Sequence, residues 1–189
     1  MKADLYLFAG FLFAGKSTII NKLKNSFENI LIISMEQGLE KVDQEIYFNN
    51  LTDAKDYLKT IDLSKYDAIF MEYNGTMHVK NIFSFAKDLD LVLRKTIYVL
   101  DGEVAENYLI NMPNLILEQI NFSDLIYIRN FEKFQSDRAK EIIKTLKPGI
   151  KIYKDETEIE NIFEKKNYKI LIIIIWIILI LSYKFILKK

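Results

Sequence analysis

Residues 10–18 read Gly10-Phe11-Leu12-Phe13-Ala14-Gly15-Lys16-Ser17-Thr18, and the first eight match the pattern G-x-x-x-x-G-K-[ST]. Two of the six glycines of the chain sit in this octet. The flanks supply the context the motif needs. Ala3–Ala9 is short and apolar, which predicts a buried strand. From Lys16 to Phe27 the spacing of Ile19, Ile20, Leu23 and Phe27 predicts a helix. Glycines let the backbone between the two curl so that successive N–H groups point inward, and the helix N-terminus adds a favourable potential for an anion. In such a loop Lys16 reaches the β- and γ-phosphates and Ser17 ligates Mg²⁺. Thr18 lies beside the α-phosphate, and all of residues 10–18 are candidate nucleotide-binding positions.

Outward from the loop, strands and helices alternate. Strands are predicted at Asn29–Ser34, Tyr66–Met71, Lys95–Leu100, Asp124–Ile128 and Ile150–Tyr153. Helices are predicted at Thr52–Thr60, Val79–Asp88, Asn114–Asn121 and Ser136–Leu146, with Thr52 and Ser136 as cap candidates. This alternation argues an α/β P-loop domain with a mostly parallel sheet flanked by helices. Residues 36–51 fit neither period and read as a surface loop or switch-like segment. Glu72 follows the strand YDAIFM, where a carboxylate would face the phosphates and hold magnesium. Gly75, three residues on, allows the chain to bring its N–H up to the γ-phosphate. Glu36 and Asp43 in the irregular segment, and Asp101 after KTIYVL, are further acids at that edge. His78 reads as a surface or capping group.

Composition narrows the chemistry. The chain has 189 residues, no cysteine and one histidine, which excludes thiol catalysis, disulfide frameworks and multi-histidine metal sites. The zero net charge has two unlike parts. Lys165, Lys166, Lys169, Lys184, Lys188 and Lys189 face no acid in residues 165–189. Subtracting these six from the 26 basic groups leaves 20 against 26 acidic groups before them, a net of −6. A mildly acidic body argues against a nucleic-acid partner. The run Ile170–Leu181 is unbroken hydrocarbon, and residues 168–187 are long enough to cross a bilayer core of about 30 Å. One C-terminal transmembrane helix is therefore expected, giving a nucleotide-binding domain at 1–155, a connecting helix or linker at 156–167 and an anchor at 168–187. The apolar start runs into the glycine motif and is not a signal peptide.

These residues resemble the CobW/HypB/UreG group of P-loop GTPases, nearest to its CobW-like branch. The family's G-F-L-G-A-G-K-T-T appears as GFLFAGKST, with Phe13 for the internal glycine. Its E-x-G followed by an acid matches Glu36-Gln37-Gly38 and Asp43, and its E-x-x-G matches Glu72-Tyr73-Asn74-Gly75. Tyr98–Gly102, the segment 118–126 and Lys147-Pro148 continue the series, so the resemblance covers about residues 3–154. Three features depart from it. The C-x-C-C metal motif has no counterpart in IYFNNLT, residues 46–52. The guanine motif N-K-x-D is replaced by Arg129-Asn130-Phe131-Glu132, in which Asn130 and Glu132 are the positions left to face the base. The family's C-terminal domain gives way to the apolar run.

The resemblance implies a Mg²⁺-dependent nucleoside triphosphatase using GTP, with ATP as the other candidate. Lys16, Glu72 and Glu36 are the expected catalytic groups, and Ser17, Glu72, Glu36 and Asp43 the expected metal ligands. With the anchor, this becomes a single-pass protein of the cell membrane, its domain facing the cytoplasm. Its partners would be the bilayer and an unidentified protein such as a transporter, with a homodimer as a further possibility. The alternative, from a different functional class, is a nucleotide-binding interaction or sensor module with little or no hydrolysis, or a degenerate metallochaperone relative. The altered base motif and missing thiols favour that alternative.

Overall fold

The computed structural model describes residues 3–38 and 42–163. Seven strands form one sheet: β1 (Asp4–Ala9), β2 (Ile30–Ser34), β3 (Glu45–Tyr47), β4 (Ala68–Glu72), β5 (Val92–Asp101), β6 (Leu125–Arg129) and β7 (Lys151–Tyr153). Their order is β3-β2-β4-β1-β5-β6-β7, and every pairing is parallel. The helices are α1 (Lys16–Leu23), α2 (Leu51–Thr60), α3 (Asn81–Asp88), α4 (Ala105–Asn111), α5 (Pro113–Phe122), α6 (Asp137–Leu146) and α7 (Glu156–Phe163).

The period of two along a strand divides the core. On β1, Leu5, Leu7 and Ala9 face one side and Tyr6 and Phe8 the other, and all five are buried. A strand covered on both faces must be apolar throughout, which is why DLYLFA lacks alternation. The first face packs against α2 through α6, with Leu58, Phe85, Leu109, Ile120 and Ile143 among the contacts. The second packs against α1 and α7 through Ile19, Leu23, Ile159 and Phe163. Phe163 joins Tyr6, Phe27 and Phe70 in an aromatic cluster with ring centroids 5.1–6.5 Å apart.

Because all strands run the same way, their C-terminal ends share one edge. Phe8 is level with Glu72, Glu72 with Ser34, and Asp101 with Arg129. The chain leaves β1 to one side for β2, β3 and β4, then crosses to the other for β5, β6 and β7. The glycine loop follows β1 at this reversal, the place where open α/β sheets bind ligands.

Two elements have no counterpart among those predicted from the sequence. β3 lies inside the segment expected to be irregular, and α4 was not anticipated. The cap of α2 is Asn50, whose side chain accepts from the Asp53 N–H, instead of Thr52. Ser136 caps α6 as expected, accepting from the Ala139 N–H. The helix expected to run to Phe27 ends at Leu23 and tightens into a 3-10 turn at Lys24–Ser26.

The expected transmembrane helix is a correction. Among the described residues no helix is long and apolar enough to cross a membrane. The longest have ten residues, about 15 Å, half of a hydrocarbon core. The run at 168–187 on which the expectation was placed lies outside the described residues. The architecture is thus the α/β P-loop domain with its parallel sheet and flanking helices. The bilayer partner, the single-pass cell-membrane location and the transporter partner rested on that helix and fall with it. The homodimer has no support among the described residues.

Candidate functional site

The loop between β1 and α1 has the curled backbone the motif demands. Gly10 has φ 138°, and a Cβ there would lie 2.2 Å from the Val99 carbonyl oxygen, so only glycine fits. Phe13 takes φ 64°, a left-handed conformation that is costly for a bulky residue and occupies the position of the family's internal glycine. The residue is 56% exposed.

Lys16 is buried at the first turn of α1. Its ammonium donates to the carbonyls of Gly10 and Phe11, 2.9 Å each, and faces Glu36 Oε2 at 2.5 Å. Glu36 Oε1 accepts from the Gly75 N–H at 3.0 Å. Gly75 lies hard against the loop, since a Cβ on it would sit 2.3 Å from the Gly10 oxygen and 2.7 Å from Phe11 Cα. Gln119 Nε2 donates to the Gly75 carbonyl at 2.6 Å and pins it from α5. The Ser17 hydroxyl donates between the two oxygens of Glu72, 3.0 Å from each. Burial pushes the Glu72 carboxyl up to about 7, against the lowering pull of Lys16 and of the Ser17 hydroxyl.

A second cluster sits across the loop at the ends of β5 and β6. Arg129 donates to Asp101 at 2.5 Å and to the Phe13 carbonyl at 3.3 Å. Its stem covers Gly15, where a Cβ would lie 2.9 Å from Arg129 Cδ. Asn130, left-handed at φ 52°, donates to Asp101 at 3.2 Å. Burial works against the Asp101 charge, but Arg129, the Glu103 N–H and Asn130 outweigh it and hold the carboxyl below its ordinary value. Glu132 is exposed on the 3-10 turn that follows.

Between the clusters lies a cavity of about 150 Å³ walled by Phe13, Gly15, Lys16, Ser17, Glu72 and Arg129, and touched by Leu12, Thr18 and Gly38. Of the expected site residues, the loop, Lys16, Ser17, Glu36, Glu72 and Gly75 come together. Asp43 stands apart from them, paired with Lys24 at 3.2 Å and 90% exposed. His78 pairs with Glu118 at 2.5 Å. Glu36, Asp43 and His78 thus hold three separate partners, and among the described residues no cluster of three or more acids and histidines could hold a metal ion. Two contributors escaped the sequence reading. Arg129 was seen only as a lost asparagine, although its place at a strand's carboxyl end was the available signal. Gln119 lies in the segment 118–126 of the motif series, which gave it no role at the loop.

No protein-family model matches the sequence, and no curated protein does. Solved structures do. The Zn(II)-bound YjiA GTPase from E. coli superposes with a TM-score of 0.61 at 18% identity, over 82% of this chain and 57% of that one. HypB from Helicobacter pylori, in complex with nickel, gives 0.58 at 16% identity over 87% of each chain. The signal recognition particle receptor FtsY from Elizabethkingia anophelis, in complex with GDP, gives 0.53 at 16% identity over 88% of this chain and 65% of that one. The chain therefore matches 57% of the length of YjiA. Its architecture is the P-loop fold seen in YjiA and HypB, carried by a sequence with no cysteine.

Proposed function

We propose that this chain is a nucleoside-triphosphate-binding sensor module, with GTP as its ligand and little or no hydrolysis of its own. The observation that carries this reading is the glycine loop at the sheet reversal, with Lys16, Ser17 and Glu72 converging on one cavity. Loop amides and the α1 N-terminus suit a chain of phosphates. The preference for GTP is drawn from the motif series and from the fold of YjiA, a GTPase, and of FtsY, solved with GDP. The ordered motifs put it nearest the CobW-like branch, and the absence of thiols removes soft-metal delivery from its tasks.

The donor set fits a magnesium ion: a hydroxyl and a carboxylate, all oxygen and close together. Ser17 and Glu72 would hold it, and its charge would offset that of the phosphates. A buried carboxylate with a raised pKa is a group such a cation would stabilise. The chain's own residues bind and orient. Lys16 supplies buried positive charge, Gly75 offers an N–H beside the loop, and Arg129 braces the loop through the Phe13 carbonyl. Low turnover follows from Arg129 being committed to Asp101, so its guanidinium is not free for developing charge.

Calorimetric titration of the full chain with GTP and ATP in Mg²⁺, followed by phosphate release on the same samples, tests the reading. Binding of GTP over ATP, lost in Lys16→Ala, with negligible release, is the expected result. Rapid Lys16-dependent release would make the protein an efficient hydrolase instead. No binding by a folded chain would end the nucleotide reading.

A further inference from the structure

Building on the nucleotide-binding reading above, we propose that Glu36 is an internal stand-in for the terminal phosphoryl group, displaced when a nucleoside triphosphate binds and left in place by a diphosphate. Its carboxylate takes, within the chain, the two donors suited to a terminal phosphoryl group. An ammonium has three protons. Lys16 donates two of its own to the Gly10 and Phe11 carbonyls, and its charge faces Glu36 Oε2 at 2.5 Å in an ion pair. The Gly75 N–H, brought against the loop by the absence of a side chain, is held by the other Glu36 oxygen. One planar anion thus spans from the loop lysine to the N–H that follows β4, with Lys16 2% and Glu36 8% exposed.

A P-loop lysine serves the β- and γ-phosphates. The inner phosphates also have the loop amides and the field of the α1 N-terminus to hold them. The terminal group depends more on Lys16 and on Gly75. A phosphoryl group with three oxygens and nearly two charges can replace a carboxylate at both donors. A diphosphate, one phosphorus shorter, has less to gain from displacing it. The displaced side chain has somewhere to go. Glu36 also borders a second cavity of about 310 Å³, which Lys16 does not line and which Phe11, Gln37, Tyr47, Asn74 and Thr76 help to wall. Release of Glu36 would move residues 35–38, which follow β2, only when the third phosphate is present.

The test uses the full chain as wild type, Glu36→Ala and Glu36→Gln, titrated with GDP, a non-hydrolysable GTP analogue and the matching adenine pair. The glutamine variant keeps the shape and an acceptor for the Gly75 N–H, and so guards against loss of fold. Melting curves check both variants. The triphosphate-to-diphosphate affinity ratio is expected to rise by roughly tenfold in Glu36→Ala, about 1.4 kcal/mol, and by less in Glu36→Gln. An unchanged ratio, or a selective loss of triphosphate binding, would overturn this role for Glu36 and leave nucleotide binding intact. Failure of wild type and variants to bind any of the four would overturn both.

Discussion

The two halves of the pocket are built from the same edge of the same sheet and differ in kind. On the β4 side, Lys16, Glu36 and Glu72 are almost completely buried and Gly75 interlocks with the loop backbone. On the β6 side, Arg129 is 36% exposed in its side chain and Glu132 faces solvent. Buried charges require partners of good geometry, whereas half-exposed ones are screened and tolerate change. Lys16, Glu72 and Gly75 lie on the buried side, and the segment Arg129-Asn130-Phe131-Glu132 lies on the more exposed one.

The largest break in this contrast should come from Lys16→Ala. It leaves Glu36 buried beside no cation, which costs about 3–5 kcal/mol. Chemical denaturation should show that loss, and the Lys16→Ala/Glu36→Ala double variant should recover much of it. Additive losses would show that the pair is not a unit. Next comes the pH dependence of Glu72. Its folded-state pKa of about 7 exceeds the ordinary carboxylate value of 4.5, so the folded chain holds the proton more tightly. Stability is then greatest below pH 4.5 as far as this group is concerned, and falls as pH rises through 7, by on the order of 3 kcal/mol in full. Glu72→Gln should flatten that stretch of the melting-temperature profile, and an unaltered profile would assign the fall to other groups.

Gly75→Ala sharpens the geometry. Its Cβ meets backbone at 2.3 and 2.7 Å, not the end of a flexible side chain, so the loop and the β4 end must part. A loss of about 1–3 kcal/mol and weaker nucleotide binding are expected. A neutral variant would mean that the two segments separate freely. On the other side, Arg129→Ala should cost about 1 kcal/mol or less in stability, since the pair with Asp101 is partly solvated. Titration by NMR should show the Asp101 carboxyl moving back toward its ordinary value. An effect equal to that of Lys16→Ala would erase the distinction between the halves.

Local chemistry was legible wherever the pattern was contiguous. The octet at 10–17 announced a strand-loop-helix and its ligand class, because curled glycine backbone and a following helix are properties of neighbouring residues. Six of the seven strands were placed: those buried on both faces are visibly apolar, and the edge strand β7 was marked by the Pro148-Gly149 break before it. β3 escaped because three residues at a sheet edge, Glu45–Tyr47, show no period and bury little. Glu72 was legible as the end of an apolar run, whereas Asp43 was equally acidic and lies with Lys24 at the surface. Arg129 was misread because its meaning depends on Phe13 and Asp101, far from it in sequence.

The sequence by itself determined the loop, the alternation of elements and the hard-oxygen character of the site, all of which follow from short-range backbone geometry and residue chemistry. The tertiary structure alone decided that Glu36 closes onto Lys16 and Gly75, that Ser17 meets Glu72 and that Arg129 braces Phe13. Those pairings span between 20 and 116 positions of chain or unite elements from different strand ends. They exist because a parallel sheet brings every strand's carboxyl end to one edge, and burial there forces each charge to find a partner.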